Sequence, residues 1–245
     1  MKHRALYLSA LLALGLPQAA SASGLDDAGA AMIAAQHGDY DEAIRRFGTA
    51  IAAGDLSPQN LMLAHHNRGN AFQDKGDYRQ AIAEYDSALR LKPDYAGSYY
   101  ARGRAHFAMT RFPAAAVDFA RAVELDPKDA YAVLWLHLSR AKGGVADRGE
   151  FMANAESFDL AKWPGAVLGL YLGRRTIEQV RAETPKGEED AQKEQACEAT
   201  FYIGEYQLLR RNLAGAKPLF EEALKICSYT TDEYDGAAFE LKGLK

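Results

Sequence analysis

The sequence predicts an all-α fold in which antiparallel helical hairpins stack on one another. Internal similarity is the main observation, because residues 62–95 recur at an offset of 34 as residues 96–129. Within each unit the apolar residues recur at the spacing of one helix face, as a buried helix requires. A third observation is that Gly-Asp-Tyr followed by Ala-Ile occurs twice, at 38–44 and at 76–82. Together these regularities predict repeated helical pairs, each covering the apolar face of its neighbour.

Seven positions recur in register between the two clearest units. Small residues match small ones, aromatic residues match aromatic ones, and proline matches proline: Gly69 and Gly103, Ala71 and Ala105, Tyr78 and Phe112, Ala81 and Ala115, Tyr85 and Phe119, Ala88 and Ala122, Pro93 and Pro127. This spacing is similar to that of the tetratricopeptide repeat (TPR), a 34-residue pair of helices A and B. The resemblance implies a right-handed superhelix.

The turn between helix A and helix B is predicted at Gly76 and Asp77. Glycine tolerates the left-handed backbone that ends a helix, and the aspartate side chain can cap the helix that follows. An earlier unit spans about 24–57, and four extra residues at 57–60 account for the offset of 38 between the two Gly-Asp-Tyr motifs. We therefore expect three N-terminal TPR units within 24–129.

The first 22 residues have the features of a secretory signal peptide. A basic start precedes twelve apolar residues at 5–16, and Ala20-Ser21-Ala22 supplies the small residues that a signal peptidase requires. Twelve helical residues cover only about 18 Å of a hydrocarbon core about 30 Å thick. We expect cleavage after Ala22 and a soluble periplasmic protein without an integral membrane span.

Composition excludes one further class of partner. The chain has 245 residues, a formal charge of −4 and no run of lysine and arginine, so a general electrostatic affinity for nucleic acid is not expected.

The second half of the chain departs from the repeat and then returns to it. Residues 130–196 form a divergent helical segment, and residues 197–245 form a TPR-like hairpin followed by a capping helix from about Thr231. Within the divergent segment the pattern predicts a helix at 130–142, a weaker one at 146–160, two short helices within 163–183, a polar loop at 184–190 and a long helix at about 190–210.

The order of these segments resembles the NlpI-type family of envelope TPR lipoproteins over roughly 26–242. The match is carried by Trp163-Pro164, Tyr171-Leu172-Gly173, Phe201-Tyr202-Ile203-Gly204 and Glu205-Tyr206. The resemblance implies a non-catalytic adaptor, often a homodimer, that binds a tail-specific protease and murein endopeptidases during peptidoglycan remodelling. No cysteine lies near the predicted cleavage site, so the family's lipid anchor is not expected. A structural subunit of an envelope assembly or secretion complex is the alternative.

No enzyme, metal or cofactor site is predicted. His65 and His66 are adjacent, so on a helix they point about 100° apart and cannot share one ion comfortably. His37, His106 and His137 are isolated, and the motifs of serine hydrolases, zinc proteases and P-loop proteins do not occur.

The remaining candidate site is the concave groove lined by the A helices. The positions of helix A that normally face this groove are occupied by Leu63, His66, Asn70, Gln73, Asp74, Tyr100, Arg104, Phe107 and Ala108. Amide, aromatic and isolated basic side chains suit an extended peptide or a partner helix. The alternative is ordinary solvated helix surface.

Cys197 and Cys227 are the only cysteines, and they lie at the start of helix A and the end of helix B of the last hairpin. Those two ends lie side by side in an antiparallel hairpin, and the predicted compartment is oxidising. Both a disulfide and a pair of free buried thiols are compatible with this placement.

Overall fold

The computed structural model describes residues 23–183, 189–228 and 231–244, which contain thirteen α-helices and no strand. The predicted all-α fold is confirmed. The helices are α1 Gly24–Gln36, α2 Tyr40–Ala53, α3 Pro58–Asp74, α4 Tyr78–Leu91, α5 Ala96–Ala108, α6 Phe112–Leu125, α7 Ala130–Lys142, α8 Arg148–Ala155, α9 Gly165–Tyr171, α10 Ile177–Glu183, α11 Glu189–Leu209, α12 Leu213–Ile226 and α13 Asp232–Gly243.

Two sequence predictions concern parts of the chain outside this description. The signal peptide predicted at 1–22 lies outside the described residues, as does most of the loop predicted at 184–190. Within the described ranges, every helix is too short or too polar to cross a lipid bilayer.

Consecutive helices pack as hairpins, and the hairpins stack in chain order. The most extensive contacts are within the pairs α1–α2, α3–α4, α5–α6 and α11–α12, and each B helix also packs on the next A helix. Helix α7 continues the stack after α6. The two short helices predicted within 163–183 correspond to α9 and α10.

The aromatic side chain of helix B lies directly on the glycine of its helix A. A Cβ atom added to Gly69 would lie 2.6 Å from the ring of Tyr85, and one added to Gly204 would lie 2.7 Å from the ring of Phe220. Both rings are fully buried. A larger residue at either glycine would therefore force the two helices apart.

The turns between helices agree with the sequence prediction in one respect and differ in another. Gly38 and Gly76 have φ values of 76° and 85°, which are the left-handed conformations expected of them. Asp39 caps α2 by accepting a hydrogen bond from the backbone of Glu42 at 3.2 Å. The same role predicted for Asp77 is wrong, because its side chain makes no hydrogen bond to the first turn of α4.

The main hydrophobic core lies in the C-terminal two thirds of the molecule. Its centre is Trp135 of α7, whose ring packs against Phe107, Phe119 and Phe201 with centroid distances between 4.9 and 6.0 Å. Phe107 and Phe119 belong to the α5–α6 hairpin and Phe201 to the α11–α12 hairpin, so Trp135 ties the divergent segment to the regular hairpins on either side.

Candidate functional site

The groove predicted from the sequence is formed by neighbouring A helices, and the structure divides it into two parts. Contacts between α1 and α3, α3 and α5, and α7 and α11 bring the inner faces of these helices together. We call the inner faces of α1 and α3 the open half. We call the inner faces of α5, α7 and α11 the filled half, because α13 lies against them.

The open half contains a pocket between α1 and α3. Phe47, Ala71 and Met32 line it with apolar groups, and Asn70 and Asp74 line it with an amide and a carboxylate. Met32 is 49% exposed although it is a large apolar side chain. An apolar lining beside an amide and a carboxylate suits a peptide that presents one apolar side chain together with polar or basic groups.

His66 and Asn70 are both held in place by neighbours. The Nδ1 atom of His66 lies 3.0 Å from Oγ of Ser98, and the Tyr85 hydroxyl donates to Oδ1 of Asn70 at 2.8 Å. The imidazole packs against the rings of Tyr85 and Tyr95. Burial lowers the pKa of His66 to about 4, so the side chain is neutral at physiological pH.

A buried polar contact marks the boundary between the two halves. Gln73 is only 4% exposed. In the orientation of its side-chain amide that pairs both the nitrogen and the oxygen, the nitrogen donates to the Ala101 carbonyl at 3.1 Å and the oxygen accepts from Arg104 at 3.3 Å. This contact links α3 to α5. Leu63, also predicted to face the groove, is partly buried one turn before His66 on α3.

The filled half is aromatic, and α13 covers it. Phe107 is 3% exposed, and its ring lies 6.1 Å from the ring of Phe239 on α13. Gly236 of α13 lies on the ring of Phe201, where an added Cβ would be 2.5 Å from a ring carbon. Gln73 and Phe107, predicted to line an open groove, are therefore covered by the chain itself.

A buried charge cluster holds the far end of α13. The Lys142 ammonium lies 2.7 Å from Oε1 of Glu240 on α13 and 3.2 Å from Oε2 of Glu205 on α11. Glu205 is fully buried. Its burial raises the pKa of the carboxyl to about 8, although Lys142 opposes this shift.

A second acidic group lies at the other end of α13. Glu233 is buried, and with Tyr100, Tyr131 and Glu198 it surrounds a small depression. Glu198 accepts hydrogen bonds from the Tyr131 hydroxyl at 2.8 Å and from the Trp163 indole at 2.7 Å. The Trp163 motif thus positions a carboxylate beside the groove.

The structure therefore distributes the predicted groove residues unequally. His66, Asn70 and Asp74 belong to the open half, whereas Arg104, Phe107 and Ala108 face α13. Met32 in the open half was not predicted from the sequence. Neither were Trp135 and Lys142 in the filled half, nor the residues of α13 that cover them. The only available signal was the pattern of α13, which repeats small and acidic residues on one face.

The capping helix differs from its prediction in position. It was expected to cover the last apolar face of the solenoid, and it does pack on α12. However, it also crosses the inner faces of three earlier A helices, as its contacts with Phe107, Lys142 and Phe201 show.

His65, one of the two adjacent histidines, pairs with a carboxylate. His65 lies 2.8 Å from Oε2 of Glu84, which also pairs with Arg68 at 2.6 Å. Within the ranges that the structure describes, no three histidine, cysteine, aspartate or glutamate side chains are arranged to hold a metal ion.

Cys197 and Cys227 form a disulfide in the structure. Their Cα atoms are 4.9 Å apart, and the bond joins the first half of α11 to the residue that ends α12. It therefore fixes the chain immediately before α13.

Comparisons with known proteins agree with this architecture. Profiles of the TPR repeat and of the tetratricopeptide repeat match residues 69–110 and 96–129. The Lipoprotein NlpI homolog of Haemophilus influenzae is 28% identical over 172 residues, which are 69% of this chain and 55% of that protein. The matched part of the chain thus spans little more than half the length of this relative.

Solved structures share the fold. A tetratricopeptide repeat protein from Parabacteroides merdae superimposes with a TM-score of 0.56 at 15% identity, covering 88% of this chain and 83% of that one. A thermophilic TPR protein from Thermus thermophilus superimposes with a TM-score of 0.51 at 17% identity, covering 89% of this chain and all of that one. The chain thus contains tetratricopeptide repeats within residues 69–129 and resembles the NlpI lipoproteins.

Proposed function

We propose that this chain is a non-catalytic adaptor of the bacterial envelope that binds a protein partner in the open half of its groove. The observation that carries the proposal is the pocket between α1 and α3, which is lined by exposed Met32 together with Asn70 and Asp74. TPR proteins use this inner surface to bind peptides or helices.

The identity of the partner is proposed from the NlpI resemblance. That resemblance favours a periplasmic location and partners such as a tail-specific protease or peptidoglycan hydrolases. An adaptor of this kind needs an open recognition surface, and the pocket between α1 and α3 supplies one.

The proposal is tested by site-specific photo-crosslinking in cells. A photoreactive residue in place of Met32 should capture an envelope protease or peptidoglycan hydrolase, because this side chain is exposed at the pocket. The same residue in place of Val117, an exposed apolar side chain on α6, serves as the matched control and should capture no such partner.

Charge reversal provides the second arm of the test. Asp74→Lys should reduce capture at position 32 at least tenfold, whereas Glu221→Lys on the exposed surface of α12 should not. Equal capture from positions 32 and 117 would contradict the proposal. Constant migration of the chain in one large complex would favour a structural subunit instead.

A further inference from the structure

The helix α13 occupies the filled half as a ligand would. Among the residues of α13 whose burial is described, four are buried: Glu233, Gly236, Ala237 and Glu240. These follow the spacing i, i+3, i+4 and i+7, which places them on one face of the helix. This is the spacing with which an amphipathic helix binds in a groove of another protein.

Three residues of α13 each make a different contact with the groove. The absence of a side chain at Gly236 allows the ring of Phe201 to lie against the helix backbone. Phe239 adds an aromatic ring beside Phe107, and Glu240 pairs with Lys142.

The chemistry of this face is unusual for a helix that serves only as an end cap. Two of its four buried residues are glutamates, and a cap of apolar residues would cover the aromatic groove without removing carboxylates from water. Buried ion pairs typically stabilise a fold no more than apolar residues of similar volume, but they do select one partner geometry. The face of α13 is thus built for recognition.

We propose that α13 is an internal, displaceable ligand of the filled half, and that a partner's acidic amphipathic helix binds there in its place. This inference rests on the proposed adaptor function and extends it to a second part of the groove. The partner helix is expected to carry a carboxylate, a small residue three positions later, and an aromatic residue followed by a carboxylate six and seven positions later. That is the pattern of α13 itself.

Competition from α13 would lower the apparent affinity of the filled half for the partner helix. The helix follows Cys227 within a few residues, and Cys227 is joined to α11 beside the groove. A short connection of this kind gives an effective concentration of about a millimolar. The apparent affinity of the partner helix is then reduced by the fraction of molecules in which α13 is bound.

Fluorescence anisotropy with the full chain tests this proposal. The probe is a labelled synthetic peptide of residues 231–244. The variant Gly236→Val places a side chain where a Cβ already meets the Phe201 ring, so it should release α13 and raise the affinity for the probe at least tenfold over that of the natural chain. Gly243→Val is the matched control, because a Cβ at Gly243 meets nothing within 4 Å, and its affinity should be unchanged.

Charge exchange then tests whether the probe occupies the same contacts. Adding Lys142→Glu to the Gly236→Val chain should weaken binding at least tenfold. A probe carrying Glu240→Lys should regain most of that loss. Binding that is unaffected by either charge change would overturn the proposal.

Two further outcomes would also overturn it. Phe239→Ala is a milder variant to set beside Gly236→Val. The proposal is rejected if both variants keep the circular dichroism of the natural chain yet bind the probe no better. It is also rejected if size-exclusion shows that Gly236→Val forms a stable dimer, because α13 would then bind a second copy of this chain.

Discussion

The two halves of the groove have the same repeat geometry but different chemistry. In the open half, His66 and Asn70 satisfy one another and their neighbours with hydrogen bonds, and an exposed Met32 stands beside them. In the filled half, Phe107 and Trp135 form an aromatic surface that the chain covers with its own helix. The comparison teaches that a polar groove surface can remain in water, whereas an aromatic one of this size requires a covering partner.

The largest expected loss of stability comes from removing a lysine, and the two halves should differ in how much they lose. Lys142→Ala leaves two buried carboxylates in the filled half without a cation, and we expect it to lower the free energy of unfolding by about 4 kcal/mol. Lys75→Ala is the control, because the Lys75–Asp41 pair beside the open half is exposed to solvent and should contribute far less to the free energy of unfolding. Guanidinium unfolding measures both.

The pH dependence of the Lys142→Ala variant refines this prediction. The folded-state pKa of Glu205 is raised to about 8, above its unfolded value of about 4.5, so the neutral carboxyl is favoured in the folded protein as the pH falls. The destabilisation should therefore be smaller at pH 6 than at pH 9. If Lys142→Ala and Lys75→Ala lowered the free energy of unfolding equally, the lysine ion pair of the filled half would be no more important than the exposed pair beside the open half.

Removing the disulfide should have the next largest effect. The cysteines are 30 positions apart, and the Cys197→Ser, Cys227→Ser double variant should lose about 3.7 kcal/mol in the chain-entropy model. Thermal unfolding without reductant measures the loss. Thiol titration of the unfolded, unreduced natural chain should find no free thiol, and two free thiols would show that the bond does not form.

His66 should make the open half sensitive to acid. Its folded-state pKa of about 4 lies below the unfolded value of about 6.5, so the unfolded chain takes up the proton first as the pH falls between these values. We expect a loss of about 2 kcal/mol between pH 8 and pH 5 from this residue.

A substitution isolates that contribution. His66→Asn should remove most of the stability change between pH 8 and pH 5, as measured by urea unfolding at each pH. His37→Asn, at an exposed position at the end of α1, is the control. If His66→Asn left the pH profile unchanged, burial of the imidazole would not be its cause.

The smallest expected changes in stability come from alanine substitutions at two glycines of the N-terminal helices. Gly69→Ala should cost about 1–2 kcal/mol, because the new methyl group meets the buried ring of Tyr85 at 2.6 Å. Gly29→Ala in α1 meets nothing within 4 Å and should instead stabilise the protein by about 0.5–1 kcal/mol through helix propensity. Thermal unfolding of both variants gives the comparison, and a gain for Gly69→Ala would show that the two helices can move apart freely.

The repeated part of the fold was predictable because its determinants are local. The spacing of Gly69 and Tyr85 within one unit predicts the hairpin, and the same spacing recurs in the next unit. The positions of His66, Asn70 and Asp74 follow from that register, because each occupies a defined turn of helix A, whereas Met32 lies in the first, less regular unit and was not predicted. The missing cap at Asp77 shows the limit of this reasoning, since a favourable residue type does not ensure the hydrogen bond.

The filled half was not predictable for a physical reason. Its defining contact, from Lys142 to Glu240, joins residues 98 positions apart, and no periodicity in the sequence relates them. The pattern of α13 predicts an amphipathic helix but not the surface that it covers. The burial of Phe107 by Phe239 depends on that same placement.

The disulfide at the end of α12 has a consequence for the cooperativity of folding. A solenoid opens most readily from its ends, where each element has only one neighbour. Because Cys227 is covalently joined to Cys197, fraying that begins at the C-terminus is arrested at that bond. We therefore expect α13 to open as a separate unit of local unfolding, with amide hydrogen exchange that occurs without the loss of the hairpin that precedes it.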